Sequence, residues 1–183
     1  MTAQIAWIDV ESTGTDVRKG QKLLQIAVIV TDADYNELGE IESKFYFSPD
    51  DVKNIYAETD PFVQNMHTQT GLWDALSDET NPSHADFDEK LLAWLKELAP
   101  EAGVLYFAGN SIFLDREFMR EYLPKSYEHL SYRSIDMTAI EIFLVAADGR
   151  PRYKKQLVHE AMDDIRESLD QARYHRELAK PPF

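Results

Sequence analysis

The stretch Trp7-Ile8-Asp9-Val10-Glu11-Ser12-Thr13-Gly14 decides what fold and chemistry this chain is expected to have. Apolar residues lead into it, two carboxylates lie two positions apart, and a small polar turn follows. Residues i and i+2 of a β-strand point to the same side, so Asp9 and Glu11 project together. Two like charges on a buried strand repel each other unless a cation lies between them, and Mg²⁺ prefers carboxylate oxygens. The stretch therefore predicts either a metal-binding strand or an exposed strand end with two solvated acids.

Length and composition narrow the class of protein. A chain of 183 residues is typical of one domain with a substantial core, so we expect a single domain over residues 1–183. The sequence contains no cysteine, which excludes disulfides, thiolate nucleophiles, iron–sulfur clusters and cysteine-based zinc sites. No apolar run is long enough to cross a bilayer, and we see no signal peptide. We therefore expect a cytoplasmic protein with no membrane segment.

The charge of the chain limits its nucleic-acid partners. The formal net charge is −14 at pH 7. Tight non-specific binding of long nucleic acid requires many Lys or Arg contacts to phosphate, which an acidic chain is poorly suited to make. A very short nucleic acid remains compatible, because a few directed contacts and metal ions can replace an extended basic surface.

Hydrophobic periodicity predicts an α/β fold with a mixed sheet flanked by helices. A nearly continuous apolar run from Leu23 to Thr31 is typical of a central strand covered on both faces. Residues 49–59 are predicted to be irregular, because Pro49 follows a strand-like pattern. The predicted strands cover residues 4–10, 23–31, 40–48, 103–108 and 131–136. The predicted helices cover residues 61–67, 84–99, 112–123, 137–146 and 160–178.

Two further sites along the chain supply candidate metal ligands and a base. Asp115 follows a strand and a Gly-Asn-Ser turn, where α/β folds gather their chemistry, although an Asp early in a helix often only complements the helix dipole. His159 and Asp164 converge if His159 precedes the first helical turn; otherwise they belong to a surface helix. Four carboxylates and one histidine suffice for two-metal phosphoryl hydrolysis, with the histidine removing a proton from water.

The chain resembles the DEDDh branch of the DnaQ-like 3′-to-5′ exonucleases in the order and spacing of its acidic motifs. These motifs are Asp9-x-Glu11, Asp115 and His159-x-x-x-x-Asp164. Within that branch the chain is most similar to the oligoribonucleases. The similar blocks are Trp7 to Gly14, Gly109-Asn-Ser-Ile112 with Asp115, His67-Thr68 with Gly71-Leu72, Tyr132-Arg133 with Asp136, and His159 to Ser168. The resemblance implies an RNase H-like, DnaQ-like exonuclease fold with a mixed five-stranded sheet.

The resemblance also implies a cofactor and a catalytic set. Asp9, Glu11, Asp115 and Asp164 would hold two divalent cations, Mg²⁺ or Mn²⁺. His159 would be the general base, and the adjacent Asp163 would be a bystander. The expected reaction is removal of nucleotides from the 3′ end with release of nucleoside 5′-monophosphates.

The same resemblance implies very short RNAs, dinucleotides above all, as substrates. A cap that binds the substrate's 5′-phosphate would be formed by Ser111, His67, Arg133 and Thr138. Bases would stack on Phe62 and Tyr132, and Thr15 occupies the position of an apolar wedge between the bases. In the family the Tyr-Arg pair comes from a partner subunit, which implies a homodimer.

Several alternatives remain open at this point. Phe62 and Tyr132 are also compatible with core packing. His67 is compatible with a helix cap or with a core histidine whose hydrogen bonds are satisfied, and Arg133 with a surface ion pair. The turn Ser12 to Thr15 lacks the apolar wedge, which favours a broader DEDDh exonuclease that trims single-stranded RNA or DNA. A catalytically inactive binding protein would be marked by loss of a metal ligand, and none of the four is lost.

Overall fold

The computed structural model describes residues 2, 4–149, 151–154 and 160–179. Within those residues it contains five β-strands and eight α-helices. The strands are β1 Ile5–Ser12, β2 Leu23–Thr31, β3 Glu37–Lys44, β4 Tyr106–Gly109 and β5 Ser134–Asp136. The helices are α1 Pro49–Glu58, α2 Pro61–Gln69, α3 Leu72–Ala75, α4 His84–Leu98, α5 Phe113–Tyr122, α6 Pro124–His129, α7 Met137–Asp148 and α8 Ala161–Ala179.

The strands form one mixed sheet in the order β3-β2-β1-β4-β5. β1 pairs antiparallel with β2, and β2 pairs antiparallel with β3. β4 runs parallel to both β1 and β5. Because parallel strands end at the same edge of a sheet, the carboxyl ends of β1, β4 and β5 meet there. The predicted mixed five-stranded sheet flanked by helices is confirmed.

The two faces of β1 carry different residues and pack against different helices. Ile5 and Trp7 face α8 and join its residues Ile165 and Leu169 in one apolar cluster. The alternate residues of β1, such as Ile8, face the opposite cluster, which is completed by α4 and α5. Since the side-chain period of a strand is two, Asp9 and Glu11 continue the row of Trp7 and project on the α8 side.

The turn after β4 approaches β1 closely. Parallel pairing between the two strands stops at Trp7 and Ala108. At Gly109, a Cβ atom would lie 2.8 Å from the backbone oxygen of Ile8, so the close approach requires glycine. This contact brings the Gly109-Asn110-Ser111 turn beside the carboxylate-bearing end of β1.

One predicted irregular segment is a helix. Pro49 was predicted to end a strand, but the third strand ends at Lys44, and α1 occupies residues 49–58. The Ser48 side chain accepts a hydrogen bond from the backbone N–H of Asp51, and Pro49 takes the first helical turn. Both are standard helix-start signals, so the prediction for residues 49–59 was wrong. The short helices α3 and α6 were also missed.

Within the described part of the chain, every helix is too short or too polar to cross a membrane.

Candidate active site

Three of the four predicted metal ligands converge at the carboxyl end of β1. Asp9 and Glu11 come from the strand, and Asp164 comes from the first turn of α8. One carboxylate oxygen from each of the three lies within 4.8 Å of the others. Of the two adjacent acids on α8, Asp163 is exposed and Asp164 is the one that joins the cluster. We refer to Asp9, Glu11 and Asp164 as the carboxylate triad.

Asp115 approaches the triad from the other side of the sheet. It lies in the first turn of α5 and is 7% exposed. Its Oδ1 atom accepts a hydrogen bond of 3.1 Å from the backbone N–H of Val10. That N–H lies beyond the last β1–β4 pair, so Asp115 satisfies a donor that the sheet leaves open. Burial is the main cause that raises the pKa of Asp115, and the nearby Asp136 carboxylate adds to the effect.

The surroundings of Glu11 disfavour its negative charge. The pKa of Glu11 is raised from 4.5 to about 8, chiefly by burial and further by the charges of Asp164, Asp115 and Glu160. A carboxyl group in such a place ionises readily only when a cation balances the charge. The cluster therefore has the electrostatic properties of a cation site.

The donor set fits a hard divalent cation. All the candidate ligands are carboxylates, which suit Mg²⁺ and Mn²⁺, whereas soft or zinc-type sites use thiolate or imidazole. The like charges that raise the pKa of Glu11 are the ones that a cation would neutralise. Asp9, Glu11 and Asp164 are placed to hold such an ion, with Asp115 beside them.

His67 lies against the triad. It is completely buried on α2, and its Nε2 donates to the backbone oxygen of Ser12 at 2.9 Å. Its Nδ1 is 3.8 Å from Glu11 Oε2, and its ring meets Trp73 edge-on. His67 was predicted to bind phosphate. In the structure its ring bonds to the end of β1 at Ser12 and lies beside Glu11.

Two other predicted phosphate-binding residues, Ser111 and Thr138, meet at the ends of β4 and β5. Their hydroxyl oxygens are 3.1 Å apart. The backbone of Ser111 has a φ of 53°, in the left-handed region that is unusual for a residue with a side chain. The N–H of Ser111 donates to Asp136 Oδ1 at 3.2 Å, and Asp136 also caps α7. The adjacent Asn110, which sequence reasoning did not assign, bonds to Thr138.

The remaining predicted substrate contacts are exposed. Phe62 begins α2 with 73% of its surface accessible, and Tyr132 is 75% accessible, so neither is a core residue. The Arg133 guanidinium carbon lies 4.6 Å from the centre of the Tyr132 ring, which keeps the two side chains together. Thr15 is exposed in the bend that follows β1.

The predicted general base, His159, lies outside the described residues. Its chain neighbours Glu160 and Ala161 precede and begin α8, the helix that carries Asp164.

A family model and similar curated proteins both relate this chain to nucleases. The model of the RNase_T family, described as an exonuclease, matches residues 6–172. An oligoribonuclease of Francisella tularensis subsp. tularensis (strain WY96-3418) is 32% identical over 174 residues, with 94% of each chain covered. An oligoribonuclease of Rhodococcus jostii (strain RHA1) is 36% identical over 188 residues, covering 100% of this chain and 90% of that protein.

Solved structures share the fold. Exonuclease I from Methylocaldum szegediense superposes with a TM-score of 0.73 at 20% identity, covering 98% of this chain. The zinc-bound form of the E. coli ExoI–ssDNA complex gives a TM-score of 0.72 at 14% identity, also over 98% of this chain. This chain spans 41% of the length of each of those solved chains.

Proposed function

This chain belongs to the RNase_T exonuclease family, and we propose that it is a 3′-to-5′ exoribonuclease that hydrolyses very short RNAs, dinucleotides especially, to nucleoside 5′-monophosphates. The observation that carries the proposal is the carboxylate triad, whose oxygens lie within 4.8 Å of one another. The oligoribonuclease relatives at 32% and 36% identity support the choice of short RNA as the substrate class.

In this proposal Asp9, Glu11, Asp115 and Asp164 would hold two divalent cations, Mg²⁺ or Mn²⁺. When bound, the cations supply positive charge that neutralises the phosphodiester oxygens and makes a water molecule more acidic. Glu11 would be ionised in that state, because a cation would offset both the burial and the neighbouring negative charges that oppose its ionisation. His159 accepts the proton of the attacking water, since an imidazole titrates near neutral pH.

The preference for short chains comes from contacts to the substrate's 5′-phosphate. The hydroxyls of Ser111 and Thr138 lie side by side and donate to phosphate oxygens. The guanidinium group of Arg133 donates two charge-assisted hydrogen bonds to the same phosphate. His67 acts indirectly by fixing Ser12 and the end of β1. The exposed rings of Phe62 and Tyr132 offer faces on which bases stack.

We propose a homodimer in which the Tyr132-Arg133 pair serves the site of the partner subunit. The pair projects into solvent and stays together through its cation–π contact, as a group that completes another site would. Activity in the cytoplasm, where short RNA fragments arise, fits a chain without cysteine.

The decisive experiment compares hydrolysis of a 5′-phosphorylated RNA dinucleotide with that of a single-stranded 20-mer, both in Mn²⁺. We expect the dinucleotide to be turned over faster and to yield nucleoside 5′-monophosphates. Asp9→Asn removes one oxygen ligand without changing the shape of the side chain, and it should abolish both activities while leaving the protein folded. Faster hydrolysis of the 20-mer would overturn the short-substrate proposal.

One observation favours a second candidate, a broader exonuclease that trims single-stranded RNA or DNA 3′ ends. The bend after β1 carries the exposed, polar Thr15 at the position of the wedge between bases. Thr15→Leu tests this feature: if the wedge governs length, the variant gains activity on dinucleotides relative to the 20-mer. If the ratio of dinucleotide to 20-mer activity is unchanged, the preference for substrate length depends on the phosphate contacts and not on position 15.

A further inference from the structure

A continuous chain of hydrogen bonds links the proposed 5′-phosphate contacts to the backbone of a triad residue. The Ser111 and Thr138 hydroxyl oxygens are 3.1 Å apart, and Thr138 donates to Asn110 Oδ1 at 3.1 Å. The Asn110 amide donates to Ser168 Oγ at 2.6 Å, across 58 residues of sequence. The Ser168 hydroxyl then donates to the backbone oxygen of Asp164 at 2.9 Å. We call these four bonds the relay.

The end of the relay fixes the direction of every proton in it. The carbonyl of Asp164 can only accept, so the proton of Ser168 points to it, and Ser168 Oγ accepts from the Asn110 amide. The amide oxygen of Asn110 then faces Thr138 and accepts a hydrogen bond from its hydroxyl. The remaining proton, that of Ser111, points to Thr138. Both hydroxyl protons at the phosphate contacts are therefore directed inward.

A phosphate competes with the relay for these two protons. Its oxygens accept hydrogen bonds, so Ser111 and Thr138 must turn their hydroxyls outward to bind it. The Asn110 carbonyl then loses its donor, and a partly buried polar group without a partner costs about 1–3 kcal/mol. Phosphate binding is thus opposed by whatever strengthens the relay and helped by whatever weakens it.

A cation at the triad weakens the relay from its other end. Ser168 is 4% exposed and lies one helical turn after Asp164, so its hydroxyl bonds to the backbone carbonyl of the residue whose side chain belongs to the triad. A positive charge at Asp164 draws electron density from that carbonyl and makes it a poorer acceptor. Because bonds in a chain polarise one another, the loss passes to Asn110 and Thr138.

We propose that Asn110 and Ser168 are positioning residues that couple 5′-phosphate binding to metal binding at Asp164, each favouring the other. This inference rests on the proposed function, which supplies the phosphate and the cation. Coupling between sites is reciprocal, so it is measurable as a change in metal affinity without turnover.

The test measures the Mn²⁺ dissociation constant from the electron paramagnetic resonance signal of free Mn²⁺. The full chain is saturated with diuridine carrying a methylphosphonate link, which is not hydrolysed, either with a 5′-phosphate or with a 5′-hydroxyl. We expect the 5′-phosphate to tighten Mn²⁺ binding about fivefold or more in the wild type. In Ser168→Ala the ratio should fall to about twofold, the part left by direct attraction between phosphate and cation.

Two variants keep the result interpretable. Ser168→Cys preserves volume and offers a weak donor, so its ratio should lie between those of wild type and Ser168→Ala. Ser126→Ala removes a buried serine bonded to Asp88, away from the relay, and should keep the wild-type ratio. A wild-type ratio in Ser168→Ala, or an equal loss in Ser126→Ala, would overturn the coupling. If ordinary diuridylate is not hydrolysed the proposed function fails, whereas hydrolysis with equal Mn²⁺ affinities refutes the coupling alone.

Discussion

Replacing Glu11 by glutamine tests the electrostatics of the site directly. Glu11 has a pKa of about 8 in the folded protein without metal and 4.5 as an ordinary side chain. A carboxyl whose pKa is raised on folding binds its proton more tightly in the folded state. The free energy of unfolding therefore falls as pH rises from about 4.5 to about 8. Glutamine removes this dependence, because its amide does not ionise.

The size of the effect follows from the two pKa values. At pH 7 the unfolded carboxyl is ionised and the folded one is mostly protonated, which costs about 3 kcal/mol at about 1.36 kcal/mol per unit of pKa. At pH 5 the same difference is below about 1 kcal/mol. Glu11→Gln should therefore stabilise the metal-free protein by about 3 kcal/mol at pH 7 and by much less at pH 5.

The assay is urea unfolding in excess chelator at the two pH values, followed by circular dichroism. Glu79→Gln, at an exposed loop position, is the matched control and should change the unfolding free energy by less than about 0.5 kcal/mol. In a second arm, Mn²⁺ should raise the unfolding midpoint of wild type and have little effect on Glu11→Gln. Equal stabilisation at pH 5 and pH 7, or destabilisation at pH 7, would refute the assigned cause of the shift.

Three further variants test other parts of the proposal. His159→Ala should lower kcat on dinucleotides by roughly 10²–10⁴ with an unchanged Mn²⁺ dissociation constant, and an unchanged kcat would exclude a general base there. Arg133→Ala should reduce kcat/KM for a 5′-phosphorylated dinucleotide more than for its 5′-hydroxyl form; an equal loss would argue against phosphate recognition. Gly109→Ala should lower the unfolding free energy by about 1–3 kcal/mol in urea titrations, because its Cβ would lie 2.8 Å from the backbone oxygen of Ile8, and unchanged stability would mean that the turn moves freely.

The features that were predictable from the sequence are those that repeat or lie close together. The apolar run of β2 identified a doubly covered strand over its observed length, Leu23–Thr31. The two-residue spacing of Asp9 and Glu11 placed both acids on one side of β1, where they meet Asp164. The helix α1 was not predicted because a proline such as Pro49 occurs both at strand ends and in the first turn of helices. The preceding Ser48, a favourable N-cap residue, is the signal that distinguishes the two cases.

Contacts between distant residues were not predictable in the same way. His67 is buried against Glu11 because α2 packs over the end of β1, and no local sequence pattern predicts that packing. The hydrogen bond from Asn110 to Ser168 joins residues 58 positions apart, and nothing in the sequence around either residue indicates its partner. Polar residues of this kind resemble ordinary turn and helix residues until the sheet brings them together.

The hydrogen bond from Val10 to Asp115 has an evolutionary consequence. Asp115 supports the strand, since its oxygen accepts the hydrogen bond from the Val10 N–H beside the triad, and in the proposed function it would also bind a cation. A lineage that abandons catalysis cannot discard Asp115 without loosening the central strand, whereas an asparagine there would keep the acceptor and lose the charge. An inactive descendant of this protein is therefore expected to retain an oxygen-bearing side chain at position 115 even where the residues of the carboxylate triad have been replaced.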